Sequence, residues 1–244
     1  MGLRSTRRLR TRRPHPFLPS EGRLTAALDA TTEAVGVAIA RGDTCVLTRR
    51  TLHAAPKGTA LSAVLTEALA ELGATPADLG AVVATRGPGS FTGVRLTLMA
   101  AKALAWSLDI PLVTVDTPRV IAATVPGPVA VAMDARQGEV YLALYDGSGE
   151  LATPMAPLSP DDAALRISDF LATTPSAALL GTGFVVYPPL QALRPTGLQA
   201  ADFPDPATLL TLGLAALAEG RTTDPVTAEP LYVRAFKPTA PPRA

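Results

Sequence analysis

The sequence predicts an α/β protein built from two related halves, and two features of the chain point to this fold. Between residues 59 and 123, short apolar runs alternate with helical patterns, which favours a parallel sheet segment. Residues 24–39 and 129–145 share one order: a strand ending in Asp, a polar turn containing Glu and a second strand. This echo indicates an internal duplication in which two halves face each other across a cleft.

Strands and helices are expected in the following order. In the first half we predict strands at 24–29, 35–40, 44–49, 81–85 and 111–115, and helices at 59–72, 91–108 and 117–123. In the second half we predict strands at 129–133, 140–145 and 177–180, and a helix at 161–171. A helix at 205–219 packs back on the first half, and 230–236 is extended.

Composition allows a substantial core and excludes several classes of protein. The 244 residues are 48% apolar, and no stretch approaches the ~20 apolar residues that span a bilayer. Cys45 is the single cysteine, so no internal disulfide can form, which suits a cytoplasmic protein. We expect Cys45 to be a small core residue in its strand.

Positive charge is concentrated at the start of the chain. Six arginines and no acidic residue lie among the first 13 residues. The rest of the chain holds 16 of the 22 basic residues and all 21 acidic residues, so its net charge is mildly negative. Direct RNA binding by a broad basic face is therefore not expected. We expect residues 1–23 to be a disordered basic tail, from a start codon placed too far upstream, with an RNA-touching arm as the alternative.

Residues 81–108 organise the rest of the chain, because a strand, a glycine loop and a long helix follow one another there. Gly87 and Gly89 interrupt the strand, and Ser90 or Thr92 can cap the first free N–H groups of the helix. The glycines allow close approach, so the loop could hold an anion. The spacing matches neither a Walker loop nor a dinucleotide fingerprint, and a tight structural turn is the other interpretation.

The helix after this loop is apolar on two sides. One stripe contains Val94, Leu98, Ala101, Ala105 and Leu108, and the other contains Leu96, Met99, Ala103 and Trp106. Such a helix is either enclosed in one large core, or packed with one stripe on its own sheet and the other on a second protein chain. Periodicity does not decide which stripe faces outward.

Four motifs resemble those of the TsaB family. They are RGPGSFTGVR at 86–95, LDATTE at 28–33, MDARQGEVY at 133–141 and EPLYVR at 229–234. The resemblance implies an actin-like fold (ASKHA, RNase H-like) of two α/β halves. Residues 24–122 with 205–220 form the first half, 123–204 the smaller second half, and 221–244 an extended C-terminal segment.

The resemblance also implies a function in tRNA modification. It makes the chain a non-catalytic scaffold for synthesis of N6-threonylcarbamoyladenosine at position 37 of tRNAs reading codons that begin with A. The implied partners are the catalytic TsaD subunit, which the chain would bind and activate, and the P-loop ATPase TsaE, with tRNA contacted only indirectly. A homodimer through the same helix is also possible, and ATP or ADP could bind at the complex interface.

Two groups of candidate site residues follow. Two aspartates at strand ends would face Mg²⁺ and an attacking water across the cleft of an actin-like ATPase. The nucleotide candidates are therefore these carboxylates and the adjoining turn and loop: Asp29, Thr31, Gly87, Gly89 and Asp134. The candidates for the partner interface lie on the central helix and its cap: Ser90, Thr92, Gly93, Val94, Leu98, Met99, Ala101, Lys102 and Ala105.

The sequence lacks the residues that an independent enzyme of this fold would use to bind a metal or a nucleotide. The two histidines, His15 and His53, cannot supply the paired-histidine metal site that the resemblance implies for TsaD, and 116–123 contains no histidine. We therefore predict no metal site. In the second half, Gly181-Thr182-Gly183 is a weak substitute for an adenosine-binding glycine motif. The alternative to a scaffold is a stand-alone actin-fold ATPase or small-molecule kinase.

Overall fold

A computed structural model describes residues 22–52, 57–153 and 155–233, with the side chains of 57–60 excepted. Within these ranges the chain forms a five-stranded sheet and a four-stranded sheet. The predicted tail lies outside the described residues, apart from Gly22 and Arg23, and so does His53. Among the helices of the described residues, none combines the length and hydropathy that a bilayer crossing requires.

The first sheet holds the opening strands of the chain. They are β1 (Leu24–Asp29), β2 (Ala34–Arg41), β3 (Thr44–Leu52), β4 (Leu79–Thr85) and β5 (Leu112–Val115), in the spatial order β3-β2-β1-β4-β5. Strand β1 pairs antiparallel with β2 and parallel with β4. Every residue of β1 and β4 is buried, so helices must cover both faces of the sheet.

Helices α1 (Lys57–Glu71) and α2 (Phe91–Leu108) cover one face, and α7 (Pro206–Ala218) covers the other. Alternation along β1 divides its side chains between the two cores, because successive residues of a strand point to opposite faces. Ala26 and Leu28 join the core under α1 and α2, whereas Ala27 joins the core under α7.

The second sheet repeats the first on a smaller scale. Its strands are β6 (Val129–Asp134), β7 (Val140–Tyr145), β8 (Ala156–Leu158) and β9 (Ala178–Leu180), in the order β8-β7-β6-β9. Strand β6 pairs antiparallel with β7 and parallel with β9, as β1 does with β2 and β4. The predicted duplication is confirmed. Among the described residues, the second sheet has no strand that corresponds to β5.

The remaining helices belong to the second half or to the junction of the two halves. They are α3 (Thr117–Ala122), α4 (Pro160–Thr173), α5 (Gly183–Val186) and α6 (Pro188–Gln191). Helices α4 to α6 cover one face of the second sheet. Helix α3 joins both cores, because Val120 packs with the first half and Ile121 with the second.

Several elements differ from the sequence prediction. Strand β8 and helices α5 and α6 were not predicted, because each has only three or four residues. Cys45 was expected in the core, which is wrong: it is exposed on β3, the edge strand of its sheet. Of the C-terminal segment predicted to be extended, residues 234–244 lie outside the described residues, and within 221–233 a turn at 225–227 interrupts the extended backbone.

Candidate functional site

Asp29 ends β1 at the turn where the nucleotide site was predicted. The residue is 1% exposed. Its Oδ1 accepts hydrogen bonds from the hydroxyls of Thr31 at 2.6 Å and Thr85 at 2.5 Å, and from the Thr31 N–H at 3.2 Å. The carboxylate therefore holds its own turn together.

Backbone donors of the same turn are also occupied from within the chain. The Ala30 N–H donates to the hydroxyl of Thr97 on α2 at 3.0 Å, and the Ala34 N–H donates to the Thr32 hydroxyl at 3.3 Å. Thr31 and Thr32 are 0% and 6% exposed. A phosphate needs such N–H groups pointing outward, and these N–H groups already have partners inside the chain.

The glycine loop packs directly on this turn. A Cβ on Gly89 would lie 2.3 Å from the Thr31 carbonyl oxygen, so glycine permits the contact. The Ser90 N–H donates to the same carbonyl at 2.7 Å, and the Gly87 carbonyl accepts from the Thr117 N–H at 2.8 Å. The close approach is thus to the chain's own backbone, which favours the structural turn over the anion loop.

Asp134 ends β6 and occupies the position in the second sheet that Asp29 occupies in the first. Its Oδ1 accepts from the Tyr187 hydroxyl at 2.7 Å and from the Arg136 N–H at 2.8 Å. The Arg136 guanidinium pairs with Asp134 Oδ2 at 3.1 Å and with Glu33 of the first half at 2.5 Å. Burial and the hydrogen bond to Asp134 raise the pKa of Tyr187 to about 12, so this hydroxyl remains a donor at neutral pH.

The nucleotide candidates thus lie at two strand ends, one in each half, and Arg136 joins the halves there by pairing with both Asp134 and Glu33. In the part of the chain that the structure describes, no group of three or more His, Cys, Asp or Glu side chains could hold a metal ion.

Helix α2 presents one stripe to the sheet. Val94, Leu98, Ala101 and Ala105 are at most 3% exposed, and Gly93 is also buried. These five were predicted as interface residues, and the structure corrects that prediction, because their side chains lie inside this chain's own core. Ser90 is half-buried and caps the helix, its hydroxyl accepting from the Gly93 N–H at 3.4 Å.

The opposite stripe of α2 is exposed, and we call it the exposed face of α2. Its large apolar residues are Phe91, Met99 and Trp106, exposed by 59%, 63% and 58%. Thr92 is also exposed, and Lys102 is half-buried beside them. Of the predicted interface residues, Thr92 and Met99 therefore remain exposed to a partner, and Lys102 is partly accessible.

A C-terminal strap, residues 224–232, runs along α2. Lys102 Nζ donates to the Ala228 carbonyl at 2.8 Å and to the Val226 carbonyl at 3.4 Å. Arg95 Nε donates to the Tyr232 hydroxyl at 3.0 Å. Val226 and Tyr232 are 59% and 53% exposed, so the strap adds apolar surface beside the exposed face of α2.

Two residues of this surface, Phe91 and Tyr232, were missed as interface candidates. The Arg95 guanidinium carbon lies 3.8 Å from the centre of the Phe91 ring, and that ring lies 6.3 Å from the ring of Tyr232. Both aromatics lie inside the motifs RGPGSFTGVR and EPLYVR, which was the available signal. Helix α2 contains no acidic residue, so its exposed face combines apolar side chains with the positive charges of Arg95 and Lys102.

The repeated sheet order, with a strand-end aspartate in each half, defines a duplicated actin-like protein. Residues 57–172 match the family model of TsaD, tRNA N6-adenosine threonylcarbamoyltransferase. The tRNA threonylcarbamoyladenosine biosynthesis protein TsaB of Escherichia coli (strain K12) is 30% identical over 221 residues, which cover 85% of this chain and 93% of that protein. The chain belongs to the TsaB family.

Other relatives agree with this placement. The TsaB protein of Bacillus subtilis (strain 168) is 32% identical over 148 residues, and this match spans 59% of the chain but only 63% of that protein. The structure of YeaZ from Pseudomonas aeruginosa has a TM-score of 0.72 at 29% identity, covering 86% of this chain and 99% of that one. A second structure, of an uncharacterized protein with similarity to peptidase YEAZ from Pseudomonas aeruginosa, has a TM-score of 0.75 at 30% identity, covering 87% and 100%.

Proposed function

We propose that this chain is the non-catalytic partner subunit for synthesis of N6-threonylcarbamoyladenosine at position 37 of tRNAs reading codons that begin with A. It binds the catalytic TsaD subunit through the exposed face of α2 and holds that subunit in an active form. The P-loop ATPase TsaE joins the assembly, and tRNA is contacted only through it. The observation that carries the proposal is a single helix with one stripe fully buried and three large apolar side chains more than half exposed on the other.

The size of the exposed face suits a protein partner. Eighteen residues of helix at 1.5 Å each span about 27 Å, long enough to form the centre of an interface burying about 1,200–2,000 Å². Full burial of each large apolar side chain stabilises a complex by about 1.5–3 kcal/mol. Aromatic residues and arginine are enriched among the residues that dominate binding energy. Phe91, Trp106 and Arg95 have that chemistry here.

The strand-end clusters support a scaffold over an enzyme. In the first half, Asp29 and the adjoining turn N–H groups already bond to the chain's own hydroxyls. A nucleotide would have to break these bonds to reach them. We therefore propose no cofactor for this chain alone, and an interface with TsaD as the place where ATP or ADP could bind.

Self-association would use the same surface. A homodimer formed through the exposed face of α2 covers the residues that TsaD needs, so the two assemblies compete. Adding the TsaD subunit to the purified chain should convert any homodimer to a heterodimer, as measured by sedimentation velocity.

Reconstitution tests the function directly. The TsaD and TsaE subunits of the same cell, supplied with tRNA and threonylcarbamoyl-adenylate, should form the modified nucleoside at a high rate only when this chain is added. The chain alone should not hydrolyse ATP. Hydrolysis at enzyme-like rates by the purified chain, lost in Asp29→Asn, would instead establish the ATPase or kinase alternative.

A further inference from the structure

A small cavity lies between α3 and the turn that follows β7, and none of its lining residues belongs to α2. Its volume is about 170 Å³, and its polar lining comes from Arg119, Tyr145 and Ser148. Pockets for drug-sized ligands have volumes of about 300–1,000 Å³. This cavity is therefore suited to a small ion or to one functional group of a larger molecule.

Arg119 supplies a guanidinium that no side chain of the described residues binds. Within the described ranges, its guanidinium makes no hydrogen bond or ion pair, and its carbon lies 5.9 Å from the centre of the Tyr145 ring. The neighbouring carboxylates have other partners. Asp116 Oδ1 accepts from Arg86 Nε at 2.6 Å, and Asp146 Oδ1 accepts from the Ser148 hydroxyl at 2.6 Å.

Tyr145 supplies a second donor. Its side chain lines the cavity and is 4% exposed, and its hydroxyl has no hydrogen-bond partner among the residues that the structure describes. Burial, with a smaller effect from the nearby Asp116 carboxylate, raises the pKa of Tyr145, so the hydroxyl stays protonated at neutral pH. The hydroxyl itself keeps contact with solvent, so an oxygen of a ligand in the cavity can replace the water that it binds.

Gly149 makes room for the guanidinium. Its φ is +81°, and a Cβ at this position would lie 2.8 Å from Arg119 Nη1 and 2.9 Å from Nη2. Gly147, two residues earlier in the same turn, differs: a Cβ there would meet only Pro128, at 4.0 Å. Of these two glycines, Gly149 is therefore the one at which an added side chain would displace the Arg119 guanidinium.

We propose that this cavity binds a small oxyanion, a phosphate or carboxylate group, between the Arg119 guanidinium and the Tyr145 hydroxyl. The planar guanidinium presents paired donors that match two oxygens of either group. Because α3 packs into the cores of both halves through Val120 and Ile121, a ligand held by Arg119 also stabilises the junction between them. The site is independent of the proposed function.

Calorimetry and thermal melting test the site, with inorganic phosphate and acetate as probes and chloride at equal ionic strength as reference. We expect saturable binding of at least one probe, with a rise in melting temperature, and the tighter probe identifies the preferred group. Arg119→Gln should weaken binding by about tenfold or more, and Tyr145→Phe by about threefold to tenfold. Arg166→Gln, at an exposed arginine of α4, should bind as the wild type does.

A glycine pair provides a second test that leaves the donors in place. Gly149→Ala should abolish binding by displacing the guanidinium, whereas Gly147→Ala should retain it. Circular dichroism checks that each variant folds. If Arg119→Gln does not fold, binding of the probes by Tyr145→Phe, which keeps the ring, tests the site instead. A response to both probes no larger than that to chloride, or binding unchanged in Tyr145→Phe and Gly149→Ala, would overturn the proposal.

Discussion

Both faces of α2 carry apolar side chains, but the largest of them stand on the exposed face. On the buried face, Leu98, Ala101 and Ala105 pack with Leu28 and Val82 of the sheet. On the exposed face stand Phe91, Met99 and Trp106. Small residues let a helix approach a sheet closely, whereas large aromatic and thioether side chains are enriched at protein interfaces. Side-chain size therefore distinguishes the two faces better than hydrophobic periodicity does.

The largest effect is expected from a charge on the buried face. Leu98 is 2% exposed, so Leu98→Glu removes core packing and buries a carboxylate without a designed partner. We expect a loss of more than about 4 kcal/mol, enough to unfold a marginally stable chain. Urea denaturation followed by circular dichroism measures it. A cooperative transition near that of the wild type would show that this face is not a core.

The next largest loss of stability is expected from a substitution in the glycine loop that precedes α2. Gly89→Val places a branched side chain against the Thr31 carbonyl, and we expect a loss of about 1–3 kcal/mol from overpacking. Gly197→Val is the matched control, because nothing lies within 4 Å of a Cβ at that position. Equal melting temperatures for both variants would contradict the close packing of the loop on the turn.

Thr97 links the buried face to the turn at Asp29. Thr97→Val removes the hydroxyl that accepts from the Ala30 N–H and donates to the Gly93 carbonyl at 2.9 Å. Leaving the Ala30 N–H unsatisfied should cost about 1–3 kcal/mol. Thr97→Ser keeps the hydroxyl and serves as the control. If Thr97→Val and Thr97→Ser melt together, the hydrogen bond contributes little to stability.

Sequence reasoning recovered most of the fold because the long elements have strong local patterns. Strands such as β1 and helices such as α2 are bounded by Gly, Pro or Asp. The repeated order of strand, Asp and turn predicted the duplication. Strand β8 has three residues, of which Pro157 cannot donate to the sheet, so it carries no such pattern.

The candidate site was less predictable because its contacts join distant parts of the chain. Arg95 and Tyr232 are 137 residues apart, and Ala30 and Thr97 are 67 apart. No local spacing could pair them. Periodicity found both stripes of α2 but not their orientation, which depends on the sheet beneath.

The strap should affect binding more than folding. Tyr232 is 53% exposed, so Tyr232→Ala should change the free energy of unfolding by less than about 1 kcal/mol. If the strap extends the exposed face of α2, affinity for the TsaD subunit should fall by about tenfold, measured by surface plasmon resonance. The same substitution would leave affinity unchanged if the partner contacts α2 alone.

Affinity of Met99→Glu for the TsaD subunit tests the central claim most directly. Met99 is 63% exposed, so its substitution should leave the melting temperature unchanged, yet weaken binding by about 30-fold or more, because a charge would be buried at the interface. Leu165→Glu, at a position of α4 exposed by 65%, should bind as the wild type does. A folded Met99→Glu variant that binds TsaD with wild-type affinity would contradict the account.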